Sequence, residues 1–439
     1  MTLPPGQATH KLGPWTATAL VVGNIIGVGA FVVPISLAPY GYGSLLGWAA
    51  TLTGALCLAW VFAMLARHLP DAGGAMRIIR VAFGGDAAFL NAWGYWVSVW
   101  VANAIIVVGG VGYLGRLVPA LEQSRPLSAA TGVALLWLFA VINLRGVHTA
   151  GRVQLITSVL KLWPFIAAFG VAAWLVFGGG TVDVQPIVPS QFTWGIAATT
   201  TTITLYSMLG IESAAVPGDV VADAARVVPR ATMIGTTMSG LLIMLLCVSM
   251  VAFLPADILG ASRAPLVDFV SLRLGTWGAL SVSVAVVIAA FGCLNGWVLI
   301  AGETPTLMAE AGELPAWWGV RNARGASVNS ALVSHGLTTV LIVLNGTEAA
   351  QGLFTFIVQL ATATVLLIYL LAPAAALRFM ADGRVPRSLA LQVASVGALS
   401  FGAVAVIGSG VPAVGWGTAL VLAGWPLYRL VQRRGAVAY

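Results

Sequence analysis

The chain has 439 residues, of which 59% are hydrophobic and only 8% charged, and its mean hydropathy is +0.96. Soluble domains carry about 25% charged residues, so the composition excludes an ordinary soluble protein and indicates a polytopic membrane protein. The formal net charge of +7 raises the question of a nucleic-acid partner, which the placement of the charges answers.

Apolar runs of about 20 residues, long enough to cross a bilayer as a helix, recur twelve times in chain order. They fall at 14–38, 43–66, 87–115, 127–144, 150–178, 194–217, 229–254, 276–306, 328–345, 351–378, 386–408 and 412–431. The runs are continuous rather than alternating, which argues against an outer-membrane barrel. The expected fold class is therefore all-α, with twelve transmembrane helices. The connections are short, so residues 1–439 read as one membrane domain with no soluble unit attached. The N-terminal stretch MTLPPGQATHKLGPW lacks the charged region, short apolar core and cleavage site of a secretory leader, and the first helix is expected to stay in the mature protein.

The first segment contains GNIIGVGAF, Gly23 to Phe31. Three glycines and an asparagine at mid-membrane fit two readings: small residues that let helices pack closely, or a point where the helix unwinds. Unwinding in hydrocarbon is tolerated only where the freed backbone groups find partners or line a cavity. The sixth segment repeats the pattern in YSMLGIESAAVPGD, with Gly210, Glu212, Ser213, Pro217 and Gly218. Two interrupted helices, each opening a group of five segments, match transporters built from inverted repeats with a central site. Amides exposed around Ile26 to Gly29, backed by the positive end of a half-helix, then suit a carboxylate. Carbonyls freed near Ile25, Tyr206 and Leu209 suit an ammonium, so the site selects amino acids.

Two ionisable residues fall deep in segments: Lys161 and Glu212. An intramembrane charge costs on the order of 2.5–3.5 kcal/mol, which makes each a functional candidate. Glu212 either takes up and releases a proton, pairs with a cationic substrate, or pins the sixth helix to a tyrosine. Lys161 either reaches the central cavity or snorkels to the surface. Glu303, Glu310 and Glu313 read as solvated or capping charges, His335 as a helix-packing or interfacial residue, and Asn295 and Gln359 as interhelical hydrogen-bonders. Asn295 also lies two residues before Trp297 and is a candidate site member.

With the N-terminus inside, sixteen Lys and Arg residues fall in cytoplasmic loops, and four, Arg116, Arg125, Arg263 and Arg273, fall outside. This positive-inside bias puts both termini in the cytoplasm. The basicity thus reports topology and contact with anionic membrane lipid, not nucleic acid. Cys57, Cys247 and Cys293 are odd in number and lie within predicted helices, which indicates neither a disulfide framework nor a metal site. No paired aspartates, Ser/His dyad or histidine ligands stand at mid-membrane, as an intramembrane enzyme needs. No filter of repeated carbonyls or charge rings suggests a channel. No cofactor is expected.

Several stretches together resemble the amino acid, polyamine and organocation transporter superfamily, most closely its bacterial basic amino acid antiporters of the arginine/agmatine exchanger type. They are GNIIGVGAF, PDAGGAMRIIRVAFG (Pro70 to Gly84), YWVSVWVANAIIVVGGVGYL (Tyr95 to Leu114), LYSMLGIESA, VVPRA (Val227 to Ala231) and NGWVLIAGETPTLMAEAGELP (Asn295 to Pro315). The resemblance implies a LeuT-like five-plus-five inverted repeat, 14–178 and 194–378, followed by helices eleven and twelve at 386–431. It also implies alternating access in a bacterial cytoplasmic membrane and a homodimer.

Carried over by resemblance, Asn24, Ile25, Gly27, Val28 and Gly29 belong to the carboxylate-binding break. Ser98, Asn103, Leu209 and Trp297 become substrate contacts, and Tyr206 a gating aromatic. Glu212 is a gate and coupling carboxylate, with Tyr95 and Tyr369 as hydroxyl partners on the cytoplasmic side. Lys161 resembles a helix-five lysine of proton-coupled relatives, whose ammonium stands where related symporters hold a second sodium ion. The chain departs from the exchangers at Val28, where they carry serine, at Tyr206 (tryptophan), at Val99 (a small polar residue) and at Ile106 (methionine). The expected activity is antiport of a cationic amino acid against a related amino acid or its amine, with proton-coupled transport of a neutral amino acid as the alternative.

Overall fold

A computed structural model describes residues 14–69, 75–145, 160–178, 184–211, 224–347 and 352–437. Helices dominate it, and the single bridge among the described residues, Arg321 with Ser327, belongs to a loop. In chain order the helices are α1 Pro14–Ile25, α2 Gly29–Leu37, α3 Ser44–His68, α4 Ala75–Phe83, α5 Gly85–Gly115, α6 Pro119–Gln123, α7 Arg125–Leu144, α8 Trp163–Phe177 and α9 Trp194–Tyr206. They continue with α10 Ala224–Phe253, α11 Ala256–Ala261, α12 Pro265–Glu310, α13 Asn329–Asn345, α14 Leu353–Ala381, α15 Leu389–Gly408, α16 Gly410–Ala423 and α17 Trp425–Val437.

Among the described residues eight helical stretches are long and apolar enough to cross a membrane, against the twelve segments expected from sequence. The difference lies in the other four segments, of which parts of the fifth and sixth fall outside the described residues. The first splits into α1 and α2, with α2 running on through a tight turn into α3, while the fifth, sixth and ninth are represented by α8, α9 and α13, of 15, 13 and 17 residues. The eighth segment follows a short helical piece, because Gly275, at φ +63°, interrupts α12.

Polar side chains set the starts of several helices. Ser124, Thr193 and Ser388 accept from the backbone amides of Leu127, Ile196 and Leu391, each satisfying one of the four amides a helix start leaves open. Threonines fasten α9 to its neighbours. Thr204 Oγ1 lies 2.8 Å from Thr51 Oγ1 on α3, and Thr202 Oγ1 donates to the Ala405 carbonyl on α15 at 2.7 Å. Gly47 on α3 allows the approach: a Cβ there would stand 2.5 Å from a Thr200 backbone carbon.

Ion pairs close both ends of the bundle. At the end where α5 finishes and α12 begins, Arg116 bridges Asp268 at 2.5 Å and Glu122 at 3.2 Å. At the opposite end Arg80 on α4 pairs with Glu313 just beyond α12. There Arg321 also holds Glu303 at 2.9 Å and Glu310 at 2.6 Å. Its hydrogen bonds to Glu303, then Glu310, push the Arg321 guanidinium further above its ordinary range. The three glutamates are thus not simply solvated; Glu313 is 5% exposed. His335 packs edge-on against Trp137, ring centres 6.1 Å apart, and the Asn143 side-chain amide donates to Asn295 Oδ1 at 3.1 Å between α7 and α12.

Candidate functional site

The helical ladder of α1 stops at Ile25. The Ile26 amide still reaches the Val22 carbonyl at 2.8 Å, but the Gly27 amide, which a continuous helix would direct to Gly23, turns to the Ile25 carbonyl at 2.9 Å. The chain resumes as α2 at Gly29, whose first inward bonds run from Phe31 and Val32 to the Val28 carbonyl at 2.9 and 3.2 Å. The amides of Gly29 and Ala30 therefore stand at the open, positive end of a nine-residue helix. The Gly23 carbonyl released by the break accepts from Lys161 Nζ at 3.0 Å, and Lys161 is only 1% exposed. Lys161 thus faces the break in the protein interior instead of snorkelling outward.

The end of α9 loosens in a different way. Beyond Tyr206 the amides of Ser207, Met208 and Leu209 bond three residues back, to Thr204, Leu205 and Tyr206, at 3.1, 2.9 and 3.3 Å. These tight turns lead into Gly210 at φ +107°, a conformation glycine adopts without the clash a Cβ would bring.

The two helix ends meet face to face. A Cβ on Gly29 would lie 3.2 Å from the Tyr206 ring and 3.4 Å from Ser207 Cα, and one on Gly27 would lie 3.0 Å from Cys293 Sγ on α12. Between them is a cavity of about 30 Å³, walled by Ile25, Gly27, Val28 and Gly29, by Tyr206, Ser207 and Leu209, by Ala102 and Ile106 of α5, and by Cys293 and Trp297 of α12. That volume holds about two waters, so an amino acid occupies it only when the walls draw apart.

A second cavity, about 780 Å³, opens toward the end marked by Arg116 and Asp268, with Val32, Ser36, Val107, Arg125, Arg263 and Thr355 in its walls. One layer of side chains divides the two spaces. Val28 lines the small cavity and Val32, one turn on, lines the large one, and a Cβ on Gly109 of α5 would stand 3.2 Å from Val28 and 2.7 Å from Val32.

Ile25, Gly27, Val28, Gly29, Tyr206, Leu209 and Trp297, all singled out from sequence, share the small cavity. Asn103 stands just behind it, its side-chain amide donating to the Trp297 carbonyl at 3.4 Å while its Oδ1 has no hydrogen-bond partner. Ser98 is buried one turn before Ala102, outside the cavity wall. Tyr369 is buried with its ring 6.5 Å from that of Phe62, and Tyr95 is partly buried; neither lines the cavity. Asn24 lies in the last turn of α1 with its side chain outside the description, and Glu212 lies outside the described residues. Cys293, Ser207 and Ala102 were not singled out from sequence. Cys293 sits one turn before Trp297 and Ala102 one turn before Ile106, so helical spacing from the named residues is the signal that finds these two; Ser207 follows Tyr206 directly. Among the described residues no group of three or more His, Cys, Asp or Glu is arranged to hold a metal.

Comparison with known proteins supplies the identity. The chain is 29% identical over 349 residues to the cadaverine/lysine antiporter of Escherichia coli strain K12, covering 77% of this chain and 76% of that protein. It is 28% identical over 438 residues to the putrescine transporter PotE of the same strain, covering 97% of each. The family model described as amino acid permease matches residues 12–425. With nearly its whole length matched, and with its broken first helix set against α9 around a buried cavity, the chain belongs to the amino acid permease family.

Proposed function

We propose that this permease is an antiporter that exchanges a cationic amino acid for a related amino acid or its amine by alternating access. The observation that carries the proposal is the opposition of two helix ends across one cavity: open amides at Gly29 and Ala30, and loosened carbonyl ends at Ile25 and Tyr206 to Leu209. A substrate carboxylate is stabilised at the first by hydrogen bonds and the half-helix dipole. Its ammonium is received at the second. Trp297 offers an aromatic face for a cationic side chain, and the lysine, cadaverine and putrescine in the relatives' names are molecules of that charge.

The helix arrangement supports a reading as twelve spans in two inverted five-helix repeats, 14–178 and 194–378, with 386–431 appended. The sixteen-to-four distribution of basic residues orients both termini to the cytoplasm of a bacterial cell. The 780 Å³ cavity then faces outward, and Arg80–Glu313 together with the Arg321 cluster closes the cytoplasmic side. Alternating access follows if the layer at Val28, Val32 and Gly109 closes as those cytoplasmic pairs part. Lys161 holds the Gly23 carbonyl, a position where its positive charge disfavours sodium and where loss of a proton would loosen the first helix. Transport moves its substrate unchanged, without cofactor or covalent step.

The test is counterflow in proteoliposomes loaded with lysine, arginine, cadaverine or putrescine. Labelled lysine or arginine should accumulate only when a basic amino acid or its amine is inside; accumulation driven by leucine or alanine alone would assign the site to neutral substrates.

A further inference from the structure

We infer that Ser207 supplies the hydroxyl donor to the substrate carboxylate and thereby sets the preference for an amino acid over its decarboxylated amine. The inference rests on the proposed binding of a carboxylate at the start of α2 and deepens it.

The first helix provides backbone amides at Gly29 and Ala30, but the side chain at the break is Val28, which has no polar atom to add. Across the cavity Ser207 is 2% exposed, its Oγ has no hydrogen-bond partner, and it lines the same cavity as Gly29. Its Cα lies 3.4 Å from where a Cβ on Gly29 would stand, so the hydroxyl-bearing residue directly faces the open end of α2.

The neighbouring hydroxyls show what Ser207 does not do. Thr200, Thr201 and Thr204 each turn back onto the carbonyl four residues earlier, at 2.7, 2.7 and 2.8 Å. That bond is the usual way for a hydroxyl in a buried helix to be satisfied. Ser207 follows the point where the ladder of α9 gives way to three-residue turns, and its hydroxyl takes no such bond. A buried, unpartnered hydroxyl is unfavourable unless a ligand completes it. The group best matched to it, between open amides on one side and a neutral donor on the other, is an anion.

A carboxylate accepts from Ser207 and from the α2 amides together. The amine formed by removing that carboxylate has hydrogen in its place and gains nothing from Ser207. In an exchanger that carries an acid one way and its amine the other, the ratio of the two affinities decides which is taken up and which released. Ser207 acts on that ratio through one partner only.

The test measures binding of lysine and cadaverine, and of arginine and agmatine, to purified wild-type protein and Ser207→Ala, with thermal unfolding of both. Loss of one hydrogen bond to a charged group predicts at least tenfold weaker binding of the acid, a change of less than twofold for the amine, and unchanged melting. Acid affinity within twofold of wild type overturns the inference, as does an equal loss for acid and amine, which would make Ser207 an ammonium or packing contact. Wild-type protein that binds none of the four ligands overturns the antiporter reading itself, whatever the variant does.

Discussion

Lys161 Nζ stands 3.0 Å from the Gly23 carbonyl, so a buried cation satisfies the acceptor that the break in the first helix sets free. The Gly27 amide has turned to Ile25, and without the ammonium that carbonyl would face the interior unpaired. The lysine and the break therefore form one unit: the break creates the acceptor, and the lysine makes the break tolerable in hydrocarbon.

Lys161→Met keeps the stem and removes the charge. Leaving the Gly23 carbonyl unpaired costs about 1–3 kcal/mol, so the variant should melt at lower temperature and lose at least tenfold in exchange rate. The dependence of uptake on an imposed pH gradient should flatten. Unchanged rate and pH dependence in proteoliposomes would remove Lys161 from the transport cycle.

Gly27 and Gly29 should respond differently to an added methyl group. Gly27→Ala places its Cβ 3.0 Å from Cys293 Sγ; overpacking of this kind costs about 1–3 kcal/mol, and transport should fall about tenfold. Cys293→Ala removes the clashing atom, so the double variant should recover to within about twofold, a coupling expected of residues in contact. Gly29→Ala meets the Tyr206 ring and Ser207 backbone instead, and Cys293→Ala should not rescue it. Rescue of both, or of neither, would contradict the packing described around the break.

Cys293 also reports directly on the cavity. In a background with Cys57→Ala and Cys247→Ala, Cys293 is the one thiol left of three. A small methanethiosulfonate reagent should inactivate the protein, and saturating substrate should slow that reaction by about fivefold or more. Labelling that substrate leaves unchanged would put the substrate elsewhere.

Arg80 and Glu313 tie α4 to the end of α12. Glu313 is 5% exposed while the Arg80 side chain is 45% exposed, so the pair lies between a screened surface bridge and a buried one. Its loss should cost about 1–3 kcal/mol. Arg80→Met should lower the melting temperature. Adding Glu313→Gln should restore part of the loss, because the uncompensated buried charge is then gone. Full additivity of the two variants in a thermal cycle would mean that they do not interact.

Much of this architecture was legible in the sequence. Long apolar runs separated by Arg and Pro mark the candidate spans, and the glycines of GNIIGVGAF, matched by a second cluster at Gly210, mark where α1 ends and α2 begins. The sequence also carried the residues from three helices that meet at the small cavity, through its two glycine clusters and the motif around Trp297. Side-chain direction was not legible. Ser98 and Ala102 are one turn apart on α5, yet only Ala102 reaches the cavity, and nothing in their local sequence separates them. Pairings across long separations were equally hidden: Arg80 with Glu313, Asn143 with Asn295, Tyr369 against Phe62. Glu313 read as a solvated or capping charge because its partner sits 233 positions earlier. Hydroxyl satisfaction was hidden too, since Ser207 differs from Thr204 only in where the helix ends.

The central claim is that the break between α1 and α2 and the end of α9 bind the two charged ends of one amino acid and exchange it for another. Counterflow tests it most directly: vesicles preloaded with lysine or cadaverine should concentrate labelled lysine or arginine above equilibrium, and Gly29→Ala should abolish that accumulation. Uptake of label that is equally fast into empty vesicles, or full activity in Gly29→Ala, would contradict it.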